Sequence, residues 1–254
     1  MNISGNTIFI PGATSGIGLA LAIALRDKGN TVIVGGRRQE LLDRIVAEHP
    51  GIDAVRIDTA DPQSIATAAT EVLSTHPDLN VLVTMAGVMK IEDWRDPASF
   101  LASAESIIET NVLGTVRLIA AFIEHLQARP AATVITVSSG LAFTPLKSTP
   151  SYNASKAAVH LLTETLRLQF AGSTVEFKEL QPPAVRTDLM PGHRDSAYAM
   201  PLADFIAEVM DILEHQPQAA EIQVQNVKFL RYAEQRGEYE RAIAVLNGAD
   251  PHAS

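Results

Sequence analysis

Residues 150–156 read P-S-Y-N-A-S-K, and the groups in it that could do chemistry are the phenol of Tyr152 and the ammonium of Lys156. Four residues is slightly more than one helical turn, so on a helix both side chains project from one face. A cation beside a phenol favours the phenolate and lowers a pKa that is about 10 in water. At about 5 Å and an effective dielectric near 20 the attraction is about 3 kcal/mol, or roughly 2 pKa units. Such a phenol would exchange protons near neutral pH as a general acid or base. An i,i+4 pair also occurs on ordinary helices, so the rest of the chain must decide.

The pair needs a scaffold that brings it to a ligand. Short β-branched runs at 7–10, 31–34, 54–57, 81–85, 133–137 and 175–180, flanked by Gly, Asp, Asn or Pro, predict buried strands. Helix-like segments at 17–28, 39–48, 62–75, 99–127 and 153–170 separate them. A shorter helix follows at 202–214, then a last strand over 220–225 and a helical extension over 226–247 with a break at Gly237. Strands alternating with helices form βαβ units with right-handed crossovers. The expected fold is therefore one α/β domain over residues 1–254, a doubly wound, Rossmann-type parallel sheet. Its ligands belong at the carboxyl ends of the strands.

Composition narrows the chemistry. Twenty basic against 29 acidic residues give a net charge of −9, which disfavours binding to a nucleic-acid backbone. The absence of cysteine excludes disulfides, thiolate catalysis and thiolate metal sites, and no metal is expected. The N-terminus shows no basic segment leading into a long apolar stretch, and no run of about 18 apolar residues is seen. Neither a signal peptide nor a membrane span is expected, and the default location is the cytoplasm.

The strand ends carry the remaining signals. After the first strand, P-G-A-T-S-G-I-G (11–18) contains Gly12, Thr14, Ser15, Gly16, Ile17 and Gly18. Glycines so placed let the backbone approach a pyrophosphate held at a helix N-terminus. After the second strand, G-G-R-R puts Arg37 and Arg38 where an NAD site would carry an acid against the ribose 2′-hydroxyl. Two guanidinium forks there suit a 2′-phosphate, which favours NADP(H) over NAD. Asp58 and Thr59 follow the third strand, where an adenine edge could be reached, and Ala86 and Gly87 follow the fourth, where small residues admit a flat ligand. Ser139 follows the fifth, thirteen residues before Tyr152.

Taken together, G-A-T-S-G-I-G, A-G, N-V-L-G (111–114), S-S-G (138–140), Y-N-A-S-K and P-P-A-V-R-T (182–187) resemble the short-chain dehydrogenase/reductase family in order and spacing, over nearly the whole chain. G-G-R-R-Q-E-L-L, P-P-A-V-R-T-D-L and the ending around F-L-R-Y-A-E-Q-R-G resemble its DltE-like oxidoreductase branch. The resemblance implies that Tyr152 donates and accepts the proton, Ser139 orients the substrate oxygen and Lys156 holds the nicotinamide ribose. It also implies that Asn111 bends its helix and links Lys156 to solvent through a water, while Pro182, Val185 and Thr187 meet the nicotinamide. Helices 99–127 and 153–170 would then pair between copies in a homodimer or homotetramer. The implied activity is hydride transfer between NADP(H) and a small or medium carbonyl compound or secondary alcohol. The alternatives are an NAD-preferring dehydrogenase and a non-catalytic dinucleotide-binding module that senses redox state.

Three positions depart from the family pattern: Pro11 for Thr, Met85 for the Asn of N-A-G, and Pro183 for Gly. The first two each remove a bracing hydrogen bond, which places cofactor affinity and local rigidity in question. For the substrate, Met89, Trp94, Leu141, Phe143, Leu189, Met190, Tyr198 and Met200 are candidate pocket residues, with 188–201 as the substrate loop. His193 and Arg194 could read a polar substrate group or simply face solvent.

Overall fold

The computed structural model describes residues 1–190 and 192–248, and for His193 the backbone alone. Seven strands run in sequence: β1 (Thr7–Pro11), β2 (Thr31–Gly36), β3 (Ile52–Arg56), β4 (Val81–Thr84), β5 (Ala132–Val137), β6 (Val175–Leu180) and β7 (Glu221–Ile222). They form one sheet in the order β3-β2-β1-β4-β5-β6-β7, and every pairing is parallel. The central strands β1, β2, β4 and β5 are covered on both faces and are nearly all buried, whereas the edge strand β3 exposes Asp53 and Arg56.

The two faces carry separate cores. Ile8, Ile10, Val32, Val34 and Val83 pack against α1 (Gly16–Asp27), α2 (Gln39–Glu48) and α7 (Leu202–His215). Phe9, Ile33, Leu82, Val134 and Phe177 meet α3 (Pro62–Thr75), α5 (Gly114–Gln127) and the end of α6 (Pro150–Gln169). The alternation of Ile8, Phe9 and Ile10 between these cores follows from the period of two along a strand.

Several boundaries differ from the sequence reading. The segment expected as one helix over 99–127 is α4 (Pro97–Ile108), a π-helical turn at Glu109–Leu113 and then α5. By length and composition this continuous stretch could cross a membrane. Here Ile107, Leu118, Phe122 and Leu126 are buried within the fold. The helix expected from 153 begins at Pro150, whose fixed φ suits the first helical turn. The last strand shrinks from 220–225 to Glu221–Ile222. The C-terminal extension divides into α8 (Lys228–Arg231) and α9 (Tyr239–Gly248), with Gly237 at φ +68° between them.

Candidate active site

Strand order reverses at β1, which pairs with β2 on one side and β4 on the other. The loops leaving β1 and β4 therefore diverge at their carboxyl ends and leave a crevice. A cleft of about 600 Å³ opens there. Every residue expected to contact the cofactor lines it, from Gly12 to Thr187, as do Ser139, Tyr152 and Lys156. Among the expected reacting groups only Asn111 stands behind its wall.

The glycine turn is pressed close to its surroundings. Gly12 has φ +92°, and a Cβ there would lie 2.5 Å from Cα of Ala86. With Pro11 in place of Thr, the turn is held by its own backbone: the amides of Gly12 (2.8 Å) and Ala13 (3.2 Å) donate to the Gly35 carbonyl. Helix α1 starts at Gly16 with no acidic residue in its first turn, so its amide end is electrostatically open to an anion. A Cβ on Gly36 would stand 2.3 Å from the Thr14 methyl, so this glycine is what admits Thr14. Arg37 and Arg38 are exposed at the same end of the cleft, and among the described residues neither guanidinium pairs with a carboxylate. Asp58 turns one oxygen to the amide of Ala60 (3.0 Å), and Thr59 is buried beside it. These features fit a dinucleotide: amides for the pyrophosphate, small residues for close approach and free cations for a further phosphate.

At the other end Ser139, Tyr152 and Lys156 are each at least nine-tenths buried. Lys156 Nζ lies 5.5 Å from the centre of the Tyr152 ring and donates to the Val137 carbonyl at 2.8 Å. Ser139 opens a short 3₁₀ turn and accepts from the amide of Leu141 at 3.1 Å. The amine does not make the phenol acidic in this arrangement. Burial pushes Tyr152 up to about 12, with the Ser139 hydroxyl acting in the opposite direction. Burial also lowers Lys156 to about 8, against the pull of the Glu179 carboxylate. The expected drop is absent: desolvation disfavours the charged phenolate and dominates, with the Ser139 hydroxyl as the opposing group.

Asn111 is 1% exposed at the centre of the π turn that interrupts the expected regular helix. Its side chain is spent on the β4–α4 loop and on α6: it accepts from Val88 N (2.8 Å) and donates to Val88 O (3.0 Å) and Ser155 Oγ (3.0 Å). Ser155 in turn donates to the Tyr152 carbonyl at 2.8 Å. Asn111 therefore braces the helix that carries the tyrosine and makes no direct bond to Lys156. Gly87 separates them, since Asn111 Oδ1 and Lys156 Nζ each lie 3.5 Å from where its Cβ would stand.

A second brace was not legible in the sequence. Glu92 accepts from the Ser151 amide (3.0 Å), the Ser103 hydroxyl (2.8 Å) and the Trp94 indole (3.2 Å). Its carboxylate thus caps the first turn of α6, one residue before Tyr152. Burial works to raise its pKa, but hydrogen bonds from Ser151, Ser103 and Trp94 outweigh this and hold it below the usual value. Met85, in place of Asn, packs against the main core instead of bracing the sheet, while the Thr84 hydroxyl beside it finds no partner.

Of the apolar pocket candidates, Met89, Leu141, Leu189 and Tyr198 line the cleft, and Met190 is buried behind it. Trp94 stacks on Phe100, Phe143 packs edge-on to His160, and Met200 belongs to the main core. The substrate loop is tied down by Arg186, which donates to Ser196 O (3.1 Å) and Ala199 O (3.2 Å). Arg194 is exposed and paired with Asp188, while the His193 side chain lies outside the described residues. Leu146 and Leu246, absent from the sequence reading, also line the cleft. Elsewhere His160, Glu179 and Glu221 offer atoms within 4.8 Å of one another, but Arg167 and Arg231 already neutralise the two carboxylates.

A fold of this order with this set of strand-end residues defines a nucleotide-dependent oxidoreductase, and comparison with known proteins agrees. Residues 6–197 match the family model for short chain dehydrogenase. The chain is 36% identical to the oxidoreductase DltE of Bacillus subtilis (strain 168), over 97% of this chain and 98% of that protein. A short chain dehydrogenase from Burkholderia cenocepacia, solved with NADP, superposes with a TM-score of 0.78 at 25% identity, covering 96% of this chain and 99% of that one. A family member from Burkholderia phymatum, solved with NAD, gives 0.79 at 21% identity, over 94% and 96%. The chain belongs to the short-chain dehydrogenase/reductase family and is an oxidoreductase.

Proposed function

We propose that this protein reduces small or medium carbonyl compounds with NADPH, and that Tyr152 is the proton donor. The observation that carries the reading is the joint burial of Ser139, Tyr152 and Lys156 on one wall of a cleft whose far end presents Gly12, Gly16 and two free guanidiniums. The bound nicotinamide supplies the hydride. Gly12, Thr14, Ser15, Gly16, Ile17 and Gly18 would cradle its pyrophosphate and Arg37 and Arg38 its 2′-phosphate. Asp58, Thr59, Ala86 and Gly87 would flank the adenosine, and Lys156, Pro182, Val185 and Thr187 the nicotinamide half.

Ser139 and Tyr152 direct hydroxyls at the carbonyl oxygen and stabilise the negative charge that develops on it. A phenol held near pKa 12 keeps its proton at neutral pH. It gives that proton to the forming alkoxide, which is a far stronger base than a phenolate. Reduction therefore suits this site at neutral pH, and alcohol oxidation calls for alkaline conditions. Burial lowers Lys156 to about 8, so it retains its ammonium at neutral pH, 5.5 Å from the centre of the phenol ring.

NADPH and NADH titrated by nicotinamide fluorescence test the cofactor half. Each lost charge-assisted bond is about 1.5–3 kcal/mol, so NADPH binds about tenfold tighter or more, and Arg37→Ala with Arg38→Ala removes the gap. Equal affinities in the wild type would refute it. Tyr152→Phe abolishes turnover with NADPH binding intact; retained turnover would remove Tyr152 as the acid.

A further inference from the structure

The substrate end of the cleft is closed by a segment far away in sequence and outside the residues that match the family model, which end at 197. Leu246, in the last turn of α9, lines the cleft and packs on the buried cluster of Met89, Leu146, Tyr152 and Met190. That turn is fastened to the loop leading into α6. The amide of Lys147 donates to Asn247 Oδ1 at 2.7 Å, and Asn247 Nδ2 donates to the Pro145 carbonyl at 3.1 Å. The same Nδ2 donates to the Ile243 carbonyl at 2.8 Å, which holds the side chain against its own helix. Ala242, fully buried, seats the other end of α9.

We propose that α9 is the size-limiting wall of the substrate pocket, with Leu246 as the specificity-determining side chain and Asn247 as its fastening. The inference rests on the proposed ketone reduction and adds the substrate class: neutral ketones whose larger substituent is apolar. Around the reacting phenol the wall consists of Met89, Leu141, Leu146 and Leu246, none of which can pair with an ionised substituent. At the rim, among the described residues, the Asp188 carboxylate is engaged by Arg194 and Lys90 is exposed to solvent. A wall made by one leucine discriminates by volume, and each methylene added or removed in such a pocket changes kcat/KM by about tenfold or more.

The test compares kcat/KM for methyl ethyl ketone, methyl hexyl ketone and acetophenone with NADPH, in wild type, Leu246→Ala, Leu246→Phe and Asn247→Ala. Leu246→Ala raises the ratio of larger to smaller ketone by about tenfold, Leu246→Phe lowers it by a similar factor, and Asn247→Ala follows Leu246→Ala because the wall comes loose. NADPH affinity stays unchanged in all three. Opposite shifts from two substitutions at one position cannot come from partial unfolding. Ratios that stay within about twofold of an active wild type overturn the assignment of α9 and leave the ketone reductase reading standing. A wild type inactive on every ketone overturns that reading instead. The wall is then judged from ketone dissociation constants by ligand-observed NMR, where loss of the same size dependence, or of all ketone binding, rejects it.

Discussion

Replacing Lys156 by Met should make the unliganded protein more stable at neutral pH while removing its activity, and the stability difference should fade as the pH rises. Lys156 is 5% exposed and its pKa falls from 10.5 to about 8, chiefly through burial. Between those values the unfolded chain binds a proton that the folded one does not, so wild-type stability climbs with pH across that window. Below about 8 the buried charge is carried in full. At about 1.4 kcal/mol per pKa unit it costs about 3 kcal/mol at pH 7. Met has similar length and no charge, but leaves the Val137 carbonyl without the donor it has at 2.8 Å. That loss offsets about 1–3 kcal/mol, so the net gain at pH 7 is small, roughly 0–2 kcal/mol.

The pH dependence is the sharper measure because the Val137 term is the same at both ends. Urea unfolding followed by circular dichroism at pH 7 and pH 10 should show the variant losing roughly 2–3 kcal/mol of its standing relative to wild type. Above about pH 10 the raised Tyr152 pKa makes both proteins less stable as pH climbs towards 12, so the comparison stops there. A difference between variant and wild type that is constant over this range would refute the claim that the lysine is held charged against burial.

Gly12→Ala should lower both stability and cofactor affinity, because φ +92° strains any side chain by about 1–3 kcal/mol and the new Cβ meets Ala86 at 2.5 Å; denaturant midpoints and fluorescence titration measure both. Glu92→Ala strands the Ser151 amide and the Ser103 and Trp94 donors, which should cost about 2–4 kcal/mol and depress kcat. Glu92→Gln, which keeps an acceptor, should retain most of both, and in wild type this contribution is lost as pH falls below the ordinary carboxylate range. Leu161 and Leu168 on α6 are 64% and 78% exposed, and with Leu101 and Val116 they form apolar faces fit to pair between copies. Light scattering at micromolar protein should give a multiple of 27.3 kDa, and Leu161→Glu with Leu168→Glu should reduce it to a single chain.

Most strands were legible because a parallel sheet buried on both faces needs short apolar, β-branched runs, as at 31–34 and 81–84. The glycine turn, Ser139 and Tyr152 could be placed for a related reason: strand ends are where a sheet of this kind gathers its loops. What stayed hidden depends on distance in the chain. Glu92 lies in a loop with no periodic signal, and its partner Ser151 is 59 positions away. Leu246 reaches a pocket whose loop is fastened about 100 residues upstream. The acidity of Tyr152 is not legible because the sequence shows which charge is near, whereas the depth of burial, which dominates, is a property of the assembled walls.

The wide turn at Glu109–Leu113 holds Asn111 by spending one residue more than an ordinary turn of the same helix. Each residue advances a helix by about 100°. Deleting a single position there would restore a regular spiral and rotate everything downstream, carrying Leu118, Phe122 and Leu126 off the sheet they cover. The count of residues is thus itself under constraint at this place. A one-residue shift in length there would unseat the tyrosine's brace and the core together.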